Sequence, residues 1–239
     1  MKIRSAALSD TGKRRKANED FFAAHDDLGV YVVADGLGGH AGGREAAESG
    51  TQAFVEGLAS AGRPSLDALR DAFQVANGFV RTRAGATPGL RGMATTLAAL
   101  WIAPDAAALG HVGDSRIYLQ RGGRLAPLTS DHSLVAEAVQ RQQLEPEAAR
   151  AHPHRSVITR ALGVRPELEP DAAELRIEAG DLFLLCTDGV CAQLDHAEIA
   201  RLLGLFPGDL EATARALIEQ ANAHGGEDNA TVVLVDCDR

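Results

Sequence analysis

Apolar and polar residues alternate along the chain in two patterns, one typical of strands and one typical of helices. Short, bounded apolar runs predict strands, and these runs are Val30–Ala34, Thr96–Ile102, Ala107–Val112, Ile117–Gln120, Asp181–Cys186 and Ala230–Val235. Several of them follow one another with no helix between, as from Thr96 to Gln120. This succession indicates hairpins and antiparallel sheet rather than a doubly wound parallel sheet.

Helix-like spacing of apolar residues begins at two residues suited to an N-cap, Ser65 and Asp209. The apolar positions that follow are Leu66, Leu69, Phe73, Ala76 and Val80 in the first segment, and Leu210, Ala214, Leu217, Ile218 and Ala221 in the second. Three further helices are predicted near Gly43–Ala59, Ser130–Gln142 and Asp195–Leu203. Together these elements predict an α+β fold in a single domain over residues 1–239.

A polar segment, residues 129–169, interrupts the run of strands. It contains Pro146, Pro153 and Pro166 and has no strand-like run of its own. We interpret it as an inserted helix-and-loop element rather than as a separate domain.

Composition excludes several classes of protein. Hydrophobic residues make up 45% of the 239 residues and aromatic residues only 4%, so the core must be aliphatic. The formal net charge of −9 argues against a general nucleic-acid or anionic-membrane binder. The opening "MKIRSAALSD" lacks the apolar region of a signal peptide, and the sequence has no apolar run long enough to span a bilayer.

The three cysteines, Cys186, Cys191 and Cys237, fit reduced thiols better than a disulfide framework. A zinc site built from Cys186, Cys191 and a histidine lacks the usual CxxC spacing. We therefore expect a cytoplasmic protein.

Aspartates mark the ends of the predicted strands. Asp35 ends the run "VYVVAD", and the same placement recurs in "ANED", "HVGDS", "LLCTDG" and "GGEDNATVVLV", which contain Asp20, Asp114, Asp188 and Asp228. One explanation is turn chemistry, since Asp and Gly both favour turns. The other is a site for hard divalent cations, whose preferred ligands are carboxylate oxygens. From spacing alone both explanations stay open, because sequence does not show whether the side chains converge.

The loop "GLGGHA", residues 36–41, has a competing use. It matches the dinucleotide-binding pattern G-x-G-x-x-A after a strand. Three features argue against this use. Asp35 would face the pyrophosphate, the neighbouring strands are predicted antiparallel, and Glu56, the acidic residue at the required distance, lies in a predicted helix.

Eight motifs, in order, resemble the metal-dependent type-2C protein serine/threonine phosphatases in their compact bacterial form. They are "GKRRKANED", "VVADGLGGHAGG", "GMATTL", "HVGDSRIY", "LTSDHS", "HPHRSVITRALG", "DLFLLCTDGV" and "GGEDNATVVLV". The resemblance implies a four-layer α-β-β-α sandwich of two antiparallel sheets. It also implies that segment 129–169 is the family's flap beside the active site.

The resemblance further implies a centre of two Mn²⁺ or Mg²⁺ ions, with a third, weaker ion. The residues at the family's ligand positions are Asp20, Asp35, Asp188 and Asp228, with the carbonyl of Gly36, and Asp114 at the third-ion position. Asp35 would bridge the two ions, and Asp188 would be shared with the third. The implied reaction is hydrolysis of phosphoserine or phosphothreonine by an activated water, without a covalent phosphoenzyme.

Arg15 stands at the family's phosphate-binding position, where a planar guanidinium grips two phosphate oxygens. Its neighbours Lys13, Arg14 and Lys16 are interpreted as a solvated basic patch. Leu37 replaces the histidine that follows the Asp-Gly pair in animal members, so the candidates for the general acid are His40 and a metal-bound water. The segments around Thr95–Thr96 and Arg160 are expected to support the site structurally.

Two functions therefore follow from the sequence. The first is a phosphatase that acts on phosphorylated proteins, substrates of a separate serine/threonine kinase, with no nucleic-acid or membrane partner and as a monomer. The second is a catalytically silent relative that binds phosphoproteins as a regulator. The second is disfavoured because silent relatives usually lose ligands, and here each matching aspartate is present.

Overall fold

Two five-stranded antiparallel sheets face each other and carry helices on their outer faces. The computed structural model describes residues 2–38, 41–59, 61–104, 106–150 and 152–238. The strands are β1 (Lys2–Asp10), β2 (Phe21–His25), β3 (Val30–Ala34), β4 (Gly36–Leu37), β5 (Ala94–Thr95), β6 (Leu97–Ala103), β7 (Ala106–Val112), β8 (Arg116–Arg121), β9 (Arg124–Pro127), β10 (Asp171–Leu175), β11 (Asp181–Cys186) and β12 (Ala230–Asp238). The helices are α1 (Ala41–Ala59), α2 (Leu66–Ala86), α3 (Leu134–Gln140), α4 (Pro146–Arg150), α5 (Asp188–Cys191), α6 (His196–Leu203) and α7 (Leu210–Ala223), with a short 3₁₀ turn at Pro88–Leu90.

The two sheets have the strand orders β1-β12-β11-β8-β9 and β10-β7-β6-β3-β2, and β4 and β5 form a separate small ribbon. Every pairing is antiparallel among the described strands. Because β3 lies between two antiparallel neighbours, the glycine loop after it is not part of a parallel βαβ unit. This excludes the dinucleotide-binding geometry considered for residues 36–41.

The core is divided into three apolar layers. Alternate residues of a strand point to opposite faces, and β3 illustrates the result. Tyr31 and Val33 pack between the two sheets, whereas Val30 and Val32 pack against the helices α1 and α2. The other sheet packs in the same way against α6 and α7. The expected four-layer α-β-β-α sandwich is therefore confirmed.

Most of the predicted elements are present, with two differences. Ser65 and Asp209 accept the N-cap hydrogen bonds of α2 and α7, as predicted. The helix predicted near Ser130–Gln142 begins only at Leu134, because Ser133 is its N-cap. The strands between Thr96 and Gln120 do not all pair in succession, since β7 and β8 belong to different sheets.

One end of the sandwich collects the ends of strands from both sheets. Phe21, the first residue of β2, lies opposite Ala34, the last of β3. In the facing sheet, Cys186 ends β11 opposite Arg116, the first residue of β8. The aspartates next to these termini are therefore carried to the same edge. Among the described residues, no helix is both long enough and apolar enough to span a bilayer.

Candidate metal centre

Asp20 lies directly before β2 and is almost completely buried, with 1% of its surface exposed. Its Oδ2 accepts hydrogen bonds from the hydroxyls of Thr231 (2.6 Å) and Thr187 (2.8 Å). The pKa of Asp20 is raised to about 7, mainly by burial and also by the charges of Asp188 and Asp228, against the lowering effect of the two hydroxyls. This carboxyl therefore lies close to aspartates of the opposite sheet.

Asp35 follows β3, and two threonines hold its backbone. Its N–H donates to Thr96 Oγ1 (2.9 Å), and its carbonyl accepts from the Thr95 hydroxyl (2.9 Å). Burial is the main cause that raises the pKa of Asp35 well above its usual value, followed by the charge of Asp188 and then Asp20. The segment around Thr95–Thr96, expected to support the site, contacts Asp35 directly.

Gly36, the next residue, pairs with Thr95 in the β4–β5 ribbon. A Cβ at this position would lie 2.1 Å from the carbonyl oxygen of Gly43 and 2.7 Å from that of Glu19. Only glycine fits between these backbone segments. The backbone segments around Gly36, Gly43 and Glu19 therefore pack closely beside Asp35, and no side chain lies between them at Gly36.

Asp188 and Asp228 come from the facing sheet. Asp188 is the first residue of α5, where its charge is favourable for the helix N-terminus. Burial, together with the charge of Asp228, raises its pKa to about 6, whereas a hydrogen bond from Asp35 opposes that rise. A Cβ at Gly189 would lie 1.9 Å from the carbonyl oxygen of Asn229, so glycine at this position lets α5 lie against the segment that carries Asp228.

Asp114 lies in the crossing between β7 and β8. It follows Gly113, whose φ of +105° and close contact with Thr96 both require glycine. Burial and then the charge of Asp188 raise the pKa of Asp114 to about 7. The charge interactions therefore connect Asp114 to Asp188, the residue with which it was expected to share an ion.

The five aspartates form one cluster, the carboxylate cluster, made of Asp20, Asp35, Asp114, Asp188 and Asp228. Asp20 Oδ1, Asp114 Oδ1 and Asp188 Oδ1 are buried with no hydrogen-bond partner. Buried carboxylate oxygens without a donor are costly unless they are protonated or face a cation. An all-oxygen donor set of this kind fits Mg²⁺ or Mn²⁺.

No three side chains of the carboxylate cluster, each of them described by the structure, place one ligand atom each within 4.8 Å of one another. Among the described residues, only His111, His132 and Asp171 place one potential ligand atom each within 4.8 Å of one another. Two unit charges about 4 Å apart repel by roughly 4 kcal/mol at an effective dielectric of about 20, so a closer approach of ionised aspartates would be costly without a cation.

The trio of His111, His132 and Asp171 is a poorer cation site. The two imidazole rings are stacked, with centroids 4.4 Å apart and planes at 28°. Imidazole lone pairs lie in the ring plane, so stacked rings do not aim at a common ion. Asp171 is already paired with Arg160, at 3.0 Å. Arg160, expected as structural support, thus binds the edge strand β10.

Arg15 lies at the edge of the carboxylate cluster. Its Nη2 is 2.6 Å from Asp228 Oδ2, and 55% of its side chain is exposed. The hydrogen bond to Asp228, with the charges of Asp228, Asp35 and Asp188, raises its pKa. Lys13, Arg14 and Lys16 are exposed, in agreement with a solvated patch. A guanidinium beside this cluster can bind a second anion from solvent.

Asn229 and Arg44 are two residues that the sequence analysis missed. The Asn229 amide donates to the carbonyls of Thr11 and Ala17 and accepts from the N–H of Glu19, which fixes the loop that carries Arg15. Arg44 donates to the carbonyl of Asp20 at 2.8 Å. The "EDNAT" motif contains Asn229, but its partners are about two hundred positions away, so nothing local signals its role.

His40, one candidate for the general acid, lies outside the described residues. Leu37 is described and belongs to β4. Cys186, Cys191 and Cys237 are free and buried, and a hydrogen bond with Cys186, followed by burial, raises the pKa of Cys191. A buried thiol of raised pKa is a poor nucleophile and a poor metal ligand.

A family profile described as "Protein phosphatase 2C" matches residues 12–228 of the chain. "Protein phosphatase PhpP" of Streptococcus pneumoniae is 34% identical over 235 residues, which cover 95% of this chain and 95% of that protein. The crystal structure of the Mycobacterium tuberculosis serine/threonine phosphatase PstP/Ppp has a TM-score of 0.88 and 36% identity, and the match covers 99% of both chains.

A second solved structure contains metal. It is the catalytic domain of the serine/threonine phosphatase PstP in complex with 2 manganese ions, with a TM-score of 0.86, 35% identity and 99% of both chains covered.

Proposed function

The chain belongs to the protein phosphatase 2C family, and we propose that it hydrolyses phosphoserine and phosphothreonine on proteins in a reaction that depends on Mn²⁺ or Mg²⁺. The observation that carries this proposal is the carboxylate cluster, in which three buried carboxylate oxygens have no hydrogen-bond donor. A catalytically silent binding module would not need such a cluster. When its carboxylates are ionised, bound cations offset the repulsion between them.

The proposed ligands of the two ions are the carboxylates of Asp20, Asp35, Asp188 and Asp228 with the carbonyl of Gly36. Asp35 would bridge the ions, and Asp114 with Asp188 would hold a third, weaker one. When bound, the two cations supply an activated water as the nucleophile and neutralise the negative charge of the phosphoester. The similar PstP structure with two manganese ions supports this assignment.

Arg15 is the proposed phosphate-binding residue. In the structure its guanidinium contacts Asp228, a proposed ligand, and more than half of the side chain remains accessible. Two parallel N–H groups of a guanidinium can bind two phosphate oxygens, and this bidentate grip orients phosphorus toward the carboxylate cluster. The charge of Arg15 also stabilises the negative charge that develops as the leaving alkoxide departs.

The proposed source of the leaving-group proton is His40 or a solvent molecule. Leu37 has no proton to give, and the thiols of Cys186, the last residue of β11, and Cys191, the last residue of α5, are buried in the core. Among the described side chains of the site, only the carboxyls have the chemistry to transfer a proton here, because the guanidinium of Arg15 keeps its protons.

The substrates are proposed to be proteins phosphorylated by a separate serine/threonine kinase, in a signalling role, with the chain acting as a monomer. Segment 129–169, which contains α3 and α4, is proposed as a flap of the single domain that helps to select substrates. The free, buried thiols support a reducing compartment, which is the cytoplasm in our proposal.

Hydrolysis of para-nitrophenyl phosphate and of a phosphothreonine peptide tests the function. Activity with Mn²⁺ that EDTA removes and fresh Mn²⁺ restores would support the proposal. A well-folded protein that binds Mn²⁺ and hydrolyses neither substrate would favour the silent alternative. Activity that persists in EDTA would contradict the metal dependence.

A further inference from the structure

Two buried hydroxyls converge on one oxygen of Asp20. Thr187, at the end of β11, and Thr231, in β12, both donate to Oδ2 of this carboxylate, at 2.8 Å and 2.6 Å. The other oxygen, Oδ1, is buried and has no hydrogen-bond partner. The two oxygens of one carboxylate thus have opposite environments, one saturated with donors and one left free.

The direction of each hydrogen bond is fixed by counting protons. A hydroxyl carries one proton, so Thr231, which donates to Asp20, must accept in its 2.8 Å contact with Ser9. Ser9 in turn accepts from the side-chain amide of Asn18. The chain of hydrogen bonds therefore runs from Asn18 through Ser9 and Thr231 to Asp20.

Thr187 is polarised in the same direction. Its hydroxyl oxygen accepts from the backbone N–H of Thr231 at 3.0 Å and its proton goes to Asp20. Hydrogen bonds that all point the same way strengthen one another in a buried site. Both threonine side chains have 0% exposure, so neither can contact a substrate.

We propose that Thr187 and Thr231 are positioning residues that hold Asp20 in one rotamer, so that Oδ1 faces the metal centre with its lone pairs free. The inference rests on the proposed function, because it takes Asp20 as a ligand of a divalent cation. Partners of metal-ligating carboxylates orient the ligand and reduce the rearrangement needed on binding. Valine would fill nearly the same volume at either position, so replacement by valine removes the hydroxyl with little change of shape.

The test is the affinity of the full chain for Mn²⁺ alone, measured by isothermal titration calorimetry in the variants Thr187→Val and Thr231→Val. We expect each to bind Mn²⁺ about 10-fold more weakly, and the double variant up to about 100-fold more weakly, which is the usual range for such partners. Thr187→Ser and Thr231→Ser keep the donor and should restore the affinity. Hydrolysis by the valine variants should recover as the Mn²⁺ concentration is raised.

Thr51 provides the matched control. It is also completely buried, and its hydroxyl has no partner among the described residues. Thr51→Val should therefore leave Mn²⁺ affinity unchanged. If a valine variant fails to fold, Ser9→Ala tests the same series of hydrogen bonds, because Ser9 donates to Thr231 rather than to Asp20 itself. We expect a smaller loss of Mn²⁺ affinity in this variant.

The outcomes separate the two proposals. If the unaltered protein does not bind Mn²⁺, the proposed function fails. If it binds Mn²⁺ and the folded valine variants bind equally well, only the positioning role is overturned.

Discussion

Arg15 and Asp228 form an ion pair of 2.6 Å that joins the solvent-exposed loop before β2 to the carboxylate cluster. The proposed phosphate-binding group thus already contacts a proposed metal ligand. Because both groups are partly exposed, the guanidinium can move from one anion to another by a change of rotamer. The pair holds Arg15 beside the carboxylate cluster, where we propose that a phosphoester binds.

Substitution of Arg15 should weaken substrate binding more than turnover. Each charge-assisted hydrogen bond that is lost is worth about 1.5–3 kcal/mol, so kcat/KM of Arg15→Ala should fall by about 10-fold to 100-fold, mainly through KM. Arg15→Lys should recover part of the loss, because lysine keeps the charge without the bidentate geometry. Arg14→Ala is the control, since Arg14 is interpreted as solvated. Steady-state kinetics with a phosphothreonine peptide measure both constants. An unchanged KM in Arg15→Ala would contradict the role of Arg15 in phosphate binding.

Removal of the carboxylate charge at Asp188, a proposed metal ligand, should nearly abolish turnover without unfolding the protein. Asn keeps the volume of Asp188, and the structure suffers no loss of packing. We expect hydrolysis by Asp188→Asn to fall by about 100-fold to 1000-fold, in the range that loss of one preorganised electrostatic partner produces. Circular dichroism should be unchanged. The control is Asp67→Asn at the start of α2, whose side chain is 96% exposed. Activity retained in Asp188→Asn would refute its role as a ligand.

The carboxylate cluster should make the metal-free protein less stable as pH rises. The pKa of Asp20 and of Asp114 is raised to about 7 and that of Asp188 to about 6, so the folded state binds more protons than the unfolded state. The resulting stability is present below about pH 4 and is lost progressively as pH rises from about 4 to about 7. Mn²⁺ should cancel the loss, because it binds the deprotonated form.

Urea unfolding in EDTA at pH 5, 6.5 and 8 measures this effect. Burial lowers the pKa of His111, and it lowers that of His132 to about 4, which changes stability in the opposite direction. Comparison of the unaltered protein with Asp114→Asn isolates the contribution of the Asp114 carboxyl to the pH dependence. Both proteins contain His111 and His132, so the contribution of the histidines is the same in each. An equal pH dependence in the two would contradict the prediction.

Gly36 should not tolerate even a methyl group. Alanine at this position would place Cβ 2.1 Å from the Gly43 carbonyl oxygen, so the backbone next to Asp35 must move. We expect Gly36→Ala to lower the free energy of unfolding by about 1–3 kcal/mol and to weaken Mn²⁺ binding. Gly78→Ala is the opposite case, because Gly78 is exposed on α2 with open space around it. It should stabilise the protein by about 0.5–1 kcal/mol. Urea titration measures both changes.

The strands with apolar residues on both faces were predictable from sequence. β3 and β11 have the predicted bounds, because each is covered by a sheet on one face and helices on the other. β1 was missed, since all but one of its residues are half-buried and many are small or polar. Its nine pairs with β12 form it, and that partner lies at the far end of the sequence.

The site was predictable only in part, for a related reason. Aspartates beside strand ends can be recognised locally, and the structure brings Asp20, Asp35, Asp114, Asp188 and Asp228 together. Their roles as ligands stay predictions. The donors to Asp20 could not be found, because a buried threonine in a strand is indistinguishable from a packing residue until its partner is known.

The carboxylate cluster draws on strands of both sheets but only at one end of the sandwich. Two bound metal ions would therefore connect the two sheets at that end alone. At the far side, β8 and β9 meet in a two-residue turn at Gly122 and Gly123, both with positive φ. Added Mn²⁺ should therefore slow the hydrogen exchange of backbone amides near the carboxylate cluster. The amides of the β8–β9 turn should exchange at the same rate as before.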